Sequence, residues 1–495
     1  MKKSLFISFA LAATLLVSAQ QKNSLLEPAF WKASPDVNAV KAAIAAGNNP
    51  AAANANAFDV PVLAINNEAP NATIKFLIEQ PGNAIDKSTH DDRIYLHWAA
   101  YKGNIEIVEY LIAKGSDINR EDSHGTTPAA FAAGFGQTNP ALYEAFFKAG
   151  LDPKKKYNDG ASLLLLAVPA DKDLTLAAYL TTKGLSIKDV DNNGNTAFNY
   201  AAKTGNIALL KKLTEKGVQH TDNALIFAAQ GASRRDANTL ETYKYLVEEV
   251  KINPVAASKS GENVLHFLAG KPNQTEIIKY FLAKGVDANK ADKNGNTPLI
   301  VAASNKETAV LEQLLPLVKN INTQNTKGES ALTIAVKTGT PEAVALLLGK
   351  GADVNVKDKD GNNLGVYLVQ SYKPQADAKQ DSFDAKAKLL QEKGLNLAAA
   401  QKDGNTLYHL ALTKNDVTLL KKIAALNVDV NAKNKDGLTA LHRAAMISKD
   451  DEVLKYLVSV GAKKDIATEF GESPYALAKE NELLTKSSVS VEFLK

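Results

Sequence analysis

Residues 284–299 read Lys-Gly-Val-Asp-Ala-Asn-Lys-Ala-Asp-Lys-Asn-Gly-Asn-Thr-Pro-Leu, and both halves of this stretch recur along the 495-residue chain. The pattern Lys-Gly-x-Asp-x-Asn of the first half returns at 114–119 and 350–355. The turn glycine of the second half has counterparts, each followed by a short apolar run, at Gly125, Gly160, Gly194, Gly261, Gly328, Gly361, Gly404, Gly437 and Gly471. Most successive gaps between these glycines are 33 to 35 residues. Such a period indicates an array of stacked units rather than one closed core.

Each residue type in the unit has a physical reason. Glycine tolerates the positive φ of a tight reversal. Thr297 and Pro298 predict a helix start, because a threonine hydroxyl accepts free backbone N–H groups and proline fits the first turn, where no donor is needed. In residues 105–112, apolar side chains recur at helical spacing and form one stripe. One helix pair is too small to bury such a stripe, so neighbouring units must stack on it.

The recurring pattern resembles the ankyrin repeat, in which a turn glycine is followed by Thr-Pro-Leu-His, alanines, a helix and a Gly-Ala-Asp-x-Asn return. The pattern is carried by residues 295–299 (Gly-Asn-Thr-Pro-Leu), 96–100 (Leu-His-Trp-Ala-Ala), 441–445 (Leu-His-Arg-Ala-Ala) and 351–355 (Gly-Ala-Asp-Val-Asn). The resemblance implies an all-α solenoid of stacked helix-turn-helix units with short hairpin-like connections. It also implies a protein that binds other proteins.

The spacing predicts how the array is divided. Residues 20–90 are weak matches and are expected to form an N-terminal cap with degenerate repeats, followed by repeat blocks at 91–254 and 255–486 and a frayed tail at 487–495. Residues 222–229 begin a unit that has lost its glycine, and 251–254 end it without the usual return, which predicts a soft joint. A gap of 43 residues before Gly404 predicts a surface loop insertion at 370–384.

The first residues are typical of an export signal. Lys2 and Lys3 precede an apolar run from Leu5 to Val17, and the small residues Ser18 and Ala19 follow. The run is shorter than the ~20 residues of a spanning helix, so we expect cleavage after Ala19 and no membrane insertion afterwards. The expected location is the periplasm, with release outside the cell as the alternative.

Charge and cysteine content exclude several classes of function. The formal net charge is +4, and removal of Lys2 and Lys3 leaves +2, a near balance that argues against nucleic acid as a partner. The chain contains no cysteine, so disulfides, thiol nucleophiles and cysteine metal sites are excluded.

The histidines are the first candidates for chemistry. His97, His266, His409 and His442 occupy the same position of the repeat, and the resemblance implies that they join the hydrogen-bond network between repeats. The polar cluster 90–92 lacks a further ligand at helical spacing, and the motifs of common hydrolases and nucleotide enzymes do not occur. We therefore predict a protein without catalysis, metal or cofactor. An alternative is an enzyme whose site lies in the irregular region 219–254, around His220 or Asp222.

The resemblance implies that the hairpin tips and the ends of the first helices line one concave face, and that this face binds a partner protein. By position, the candidate partner-binding residues are Tyr101, Lys102, His124, Phe135, Lys203, Lys259, Lys293, Asn294, Lys327, Lys337, Lys359, Asp360, Lys402 and Lys435. The lysines favour a partner with acidic patches, although solubility also selects lysine at exposed tips. Tyr101 and Phe135 are of the type that anchors interfaces, unless a neighbouring loop covers them. We expect a monomeric scaffold or adaptor; the alternative is a secreted effector that engages foreign proteins.

Overall fold

The computed structural model describes residues 22–232, 237–374 and 382–495. The predicted export signal at 1–19 and part of the predicted insertion at 370–384 lie outside these residues. Within the described ranges the backbone forms helices, turns and four isolated β-bridges, with no strand of a sheet. The predicted all-α fold class is therefore confirmed. Not one of the described helices combines the length and the apolar character that crossing a bilayer requires.

The chain divides into two compact units. The first contains residues 22–201 and 212–219, and the second contains 202–211 and the described residues from 220 onward. The predicted block boundary at 254 lies inside the second unit, and the soft joint at 251–254 stays a prediction.

In the first unit, first helices of successive repeats pack on each other, and second helices do the same. Its helices are α1 (Pro28–Lys32), α2 (Val37–Ala45), α3 (Val60–Asn66), α4 (Asn71–Ile78), α5 (Tyr95–Tyr101), α6 (Ile105–Ala113), α7 (Pro128–Gly134), α8 (Pro140–Lys148), α9 (Leu163–Ala167), α10 (Thr175–Thr182) and α11 (Ala197–Ala201). The next helix, α12 (Ile207–Glu215), contains residues of both units.

The second unit repeats this arrangement of two helix layers. Its helices are α13 (Asn223–Gln230), α14 (Leu240–Lys244), α15 (Val264–Ala269), α16 (Thr275–Ala283), α17 (Pro298–Ala302), α18 (Ala309–Leu314), α19 (Ala331–Thr338), α20 (Pro341–Gly349), α21 (Leu364–Ser371), α22 (Phe383–Glu392), α23 (Leu407–Ala411), α24 (Val417–Ala424), α25 (Ala440–Ile447), α26 (Glu452–Ser459), α27 (Pro474–Glu480) and α28 (Glu482–Lys486). The helix predicted for the repeat without a glycine is α13.

The first helices begin as the sequence predicts. The hydroxyl of Thr297 accepts the backbone N–H of Ile300 at 3.4 Å, and Pro298 is the first residue of α17. In α5 the paired alanines Ala99 and Ala100 are completely buried. Small side chains at these positions let the first helices of neighbouring repeats pack closely, which gives the two-layer stack its core.

Residues 57–86, predicted as a weak match, form the complete helix pair α3–α4. Asp59 replaces the usual threonine as helix cap, and its Oδ1 accepts the backbone N–H of Val62 at 3.1 Å. Before this pair, Trp31 of α1 is buried and its Nε1 donates to the carbonyl of Leu25 at 2.8 Å. A different cap residue thus starts an otherwise ordinary repeat.

The tips, which we define as the two residues before each turn glycine, are joined by backbone hydrogen bonds. At four steps of the second unit the N–H of the first tip residue donates to the carbonyl of the second residue of the preceding tip. These bonds join Lys293 to Ser260 (2.7 Å), Thr326 to Asn294 (2.7 Å), Lys359 to Lys327 (3.0 Å) and Lys435 to Asp403 (3.0 Å). We call this series the tip ladder. It also operates in the first unit, where Ser123 donates to Asp91 and Asn192 donates to Asp159.

Side chains of one repeat also cap the first helix of the preceding repeat, a feature that the sequence analysis missed. Asn305 Nδ2 donates to the carbonyl of Lys271 at 3.1 Å, and Asn481 Nδ2 donates to the carbonyl of Ser448 at 2.9 Å. After the insertion, buried Lys386 takes this role, with its Nζ 2.9 Å from the carbonyl of Val336 near the end of α19. These donors satisfy carbonyls that a helix end leaves free.

The expectation of a frayed tail is wrong. Residues 492–494 form a 3-10 turn, and the side chains of Val491 and Leu494 are buried. Tyr475 Oη donates to Glu492 at 3.0 Å, and Lys464 Nζ donates to the carbonyl of Phe493 at 3.1 Å. Two apolar residues among polar ones were too weak a pattern to predict that this segment packs against the last repeat.

Candidate protein-binding surface

Three of the four repeat histidines form hydrogen bonds to the next repeat, and the fourth, His442, contacts Thr439 of its own repeat. His97 Nδ1 accepts the backbone N–H of Ile94 at 3.3 Å, and its Nε2 lies 3.0 Å from the carbonyl of Thr126 in the next repeat. This geometry fixes a neutral ring with the proton on Nε2. Burial lowers the pKa of His97 to about 4. His266 and His409 make the same bridge to the next repeat, at 3.0 Å each, which confirms the predicted role for these three histidines.

The polar cluster at 90–92 is an ion-pair site. His90 stacks on Phe58 with ring centroids 4.6 Å apart, and its Nε2 lies 3.5 Å from Asp91 Oδ2. Partial burial raises the pKa of Asp91, but the charges of His90, Arg93 and His124 outweigh it and hold the pKa below its usual value. The described residues contain no group of three or more His, Asp or Glu side chains placed to bind a metal ion.

Arg93, which the sequence analysis did not single out, organises this end of the first unit. Its guanidinium is buried and donates to Asp122 Oδ2 at 2.9 Å and to Asp91 Oδ2 at 3.0 Å. The same group lies over the Phe131 ring, 4.3 Å from the centroid, and 5.3 Å from the centroid of Trp98. A cation held by two carboxylates and two aromatic faces cannot change its position easily.

Five aromatic side chains are linked around Arg93, and we call them the aromatic surface: Phe58, Trp98, Tyr101, Phe131 and Phe135. Trp98 and Phe131 are buried, whereas Phe135, at the end of α7, is 62% exposed. Tyr101 is half-buried, and its ring lies nearly perpendicular to that of Phe135 with the centroids 5.7 Å apart. Beside Phe135 is a cleft of about 180 Å³, lined mainly by apolar groups that include Ala130 and Leu166. The structure thus brings the predicted residues Tyr101 and Phe135 together.

The other predicted residues of the first unit are engaged within the protein. Lys102 Nζ lies 2.6 Å from Glu68 Oε1, and this contact lowers the pKa of Glu68. His124 is exposed, with its Nε2 3.5 Å from Asp91 Oδ2, and its carbonyl accepts a hydrogen bond from Asn158 Nδ2 at 3.1 Å. Both side chains thus have partners within the first unit.

In the second unit the predicted residues separate into two groups. Lys203 and Lys337 are half-buried: Lys203 lies over the Phe227 ring at 4.9 Å, and Lys337 Nζ lies 3.4 Å from Glu329 Oε1. Burial lowers the pKa of Lys203. The remaining residues are exposed at the tips, and six of them are lysines: Lys259, Lys293, Asn294, Lys327, Lys359, Asp360, Lys402 and Lys435. Successive tips of the second unit therefore present a row of exposed lysines.

In the region proposed as an alternative enzyme site, Asp222 has a structural contact. Its Oδ1 accepts the backbone N–H of Asn253 at 3.1 Å, which ties the start of α13 to the next return segment. A carboxylate used in this way fixes the position of a loop.

Family profiles match most of the chain. A profile of ankyrin repeats in three copies matches residues 32–122, 61–156, 225–325 and 265–358, and a profile of ankyrin repeats in many copies matches 163–214 and 408–458. The chain is thus a repeat scaffold of the class that mediates protein–protein interactions. It belongs to the ankyrin-repeat family.

Relatives share the repeats but are longer proteins. The human transient receptor potential cation channel subfamily A member 1 is 23% identical over 79% of this chain and 38% of its own length. The chicken nuclear factor NF-kappa-B p105 subunit is 25% identical over 52% of this chain and 26% of its own. The phosphocholine transferase AnkX of Legionella pneumophila is 24% identical over 54% of this chain and 23% of its own. The chain therefore spans less than two fifths of each of these relatives.

Among solved structures, the ankyrin-repeat domain of Bcl-3 matches 46% of this chain with all of its own length. The sequence identity is 20% and the TM-score is 0.37.

Proposed function

We propose that this protein is a non-catalytic scaffold or adaptor of the periplasm that captures a protein partner at the aromatic surface of its first unit. The observation that carries the proposal is Phe135, which is 62% exposed beside an apolar cleft of about 180 Å³. Exposed aromatic residues beside pockets are frequent hot spots of protein interfaces.

Rigidity of the underlying layer supports this choice of surface. Phe135 packs against Phe131, with ring centroids 4.6 Å apart, and Phe131 in turn carries the Arg93 guanidinium. An anchor that is already held in place loses little conformational freedom when a partner binds. The aromatic surface is thus suited to bind a partner without rearrangement.

The proposed location rests on the first 19 residues, whose charge and apolar run are typical of an export signal. Fractionation of the producing cells tests it: the protein is expected in the periplasmic fraction, with its N-terminus at Gln20. Recovery from the culture medium would instead support the secreted-effector alternative. The similarity to AnkX favours that alternative as the second candidate, although it covers only 23% of that protein.

Affinity purification tests the binding surface. We expect partner recovery to fall at least about tenfold when Tyr101 and Phe135 are both changed to Ala, because hot-spot truncations cost about 2 kcal/mol or more. The matched control is Phe470→Ala, which removes an aromatic side chain that is 89% exposed at the last tip. Undiminished recovery with the double variant, or equal loss with the control, would exclude the aromatic surface.

A further inference from the structure

The tip ladder of the second unit is interrupted between Asp360 and Lys402. At the preceding steps the N–H of a tip residue donates to the previous tip, as in the bond from Lys359 to Lys327 at 3.0 Å. Within the described part of the chain, neither the Lys402 N–H nor the Asp360 carbonyl has a hydrogen-bond partner. The last step, from Asp436 to Glu469, also lacks this bond.

The turn glycines at this step and at two closed steps of the second unit have different neighbours. A Cβ placed on Gly328 or Gly404 would lie 2.6 or 2.8 Å from the backbone nitrogen of the next tip, because those tips are in direct contact. A Cβ placed on Gly361 would meet the Lys402 side chain instead, at 2.6 Å from Cδ. The aliphatic part of Lys402 thus lies where neighbouring backbone lies beside Gly328 and Gly404.

A cleft of about 520 Å³ lies at this interruption. Its lining is rich in amides and small side chains, and its two charged residues, Lys357 and Lys402, are both lysines. Asn363 and Gln401 span the cleft: the Asn363 N–H donates to Gln401 Oε1 at 3.0 Å, and Gln401 Nε2 donates to Asn363 Oδ1 at 3.0 Å. This pair fixes the width of the cleft.

We propose that the cleft binds an extended segment of a protein partner that carries an aspartate or glutamate. Lys402 lines the cleft, and its free N–H is a donor that a carbonyl of an extended peptide backbone can accept. The two lysines, with no carboxylate in the lining, favour an acidic side chain on that segment. The inference rests on the proposed scaffold function and names a second contact and its chemistry.

Proline at position 402 separates the backbone contact from general damage to the fold. Lys402 is the second residue of the turn closed by the hydrogen bond from Gly404 N–H to the Gln401 carbonyl at 2.9 Å, a position that proline favours. Lys402→Pro removes the free N–H and the charge, whereas Lys402→Gln removes the charge alone. Lys293→Gln is the matched control, because the Lys293 N–H is already bonded to Ser260 at a closed step.

The test is selection of a displayed library of random peptides on the full-length protein and its variants. The wild type and Lys293→Gln are expected to enrich the same acidic peptides. Lys402→Gln should bind them about threefold more weakly, because it loses an exposed ion pair. Lys402→Pro should bind them about tenfold more weakly, because it loses the same ion pair and a backbone hydrogen bond.

If Lys402→Pro melts early, the double variant Lys357→Gln, Lys402→Gln replaces it, and about tenfold weaker binding is expected. Enrichment of no acidic peptides, or equal binding by the wild type and these variants, would overturn the inference. Because partner recovery through Phe135 is measured separately, that result would leave the proposed function standing. If partner recovery did not depend on Phe135 but the acidic peptides still bound, the aromatic surface would be excluded and the inference about the cleft would stand.

Discussion

Arg93 in the first unit and Lys386 in the second are both buried cations, but their surroundings differ. Arg93 is held by two carboxylates and lies against two aromatic rings that support exposed Phe135. Lys386 has no ion pair with a described carboxylate and donates to the backbone carbonyl of Val336. The comparison teaches that one repeat framework can use a buried cation either to support a surface or to close a helix end.

The first and largest effect is expected at Arg93. Changing Arg93 to Ala leaves the completely buried Asp122 carboxylate without its cation, so the free energy of unfolding should fall by about 3–5 kcal/mol. Urea unfolding followed by tryptophan fluorescence measures this loss, because Trp31 and Trp98 both lie in the first unit. The control Arg120→Ala removes a half-exposed pair with Asp92 and should cost no more than about 1 kcal/mol. Equal losses would contradict the role given to Arg93.

A smaller effect with a defined pH dependence is expected at Lys386. Burial, with a lesser contribution from Lys373, lowers the pKa of Lys386 from 10.5 to about 8. Between these pH values Lys386 binds more protons in the unfolded chain than in the folded one. The free energy of unfolding should therefore rise with pH, by about 3 kcal/mol between pH 7.5 and 10.5. Unfolding followed by circular dichroism should show this rise in the wild type relative to Lys386→Met. Parallel pH profiles for the two proteins would show that burial does not destabilise the charged form of Lys386.

The smallest effect is expected at His97. Burial lowers its folded-state pKa to about 4, below the unfolded value of 6.5, so the unfolded chain takes up more protons as the pH falls. The contribution of His97 to the free energy of unfolding is fully present above about pH 6.5 and should decrease by about 2 kcal/mol between pH 7 and pH 5. Comparison with His97→Gln isolates this contribution from that of the carboxylates. A wild type no more acid-sensitive than the variant would contradict the neutral hydrogen-bonded ring.

Local features of the fold could be predicted from the sequence because they depend on neighbouring residues. Thr297 and Pro298 start a helix, and His97 lies in a fixed position of the repeat, so both roles could be predicted. The repeat without a turn glycine, whose first helix is α13, could also be predicted, because the gap from Gly194 to Gly261 has the length of two repeats. Each of these signals is contained within one repeat and recurs in others.

Contacts between distant residues could not be predicted in the same way. Arg93 supports the aromatic surface through Phe131, which lies 38 positions later, and no spacing rule connects the two residues. The burial of Lys386 depends on a helix placed after an insertion, where a lysine is expected in solvent. The gap before Gly404 indicated extra residues, but the open step between Asp360 and Lys402 lies on the tips rather than in the loop.

The most direct test of a partner-binding aromatic surface is photocrosslinking in intact producing cells. A benzoylphenylalanine placed at position 135 replaces the proposed anchor with a reactive aromatic of similar shape, and position 470 provides an exposed aromatic control. The account predicts one discrete protein adduct from position 135 that is absent from position 470. No adduct at 135, or the same adducts from both positions, would contradict it.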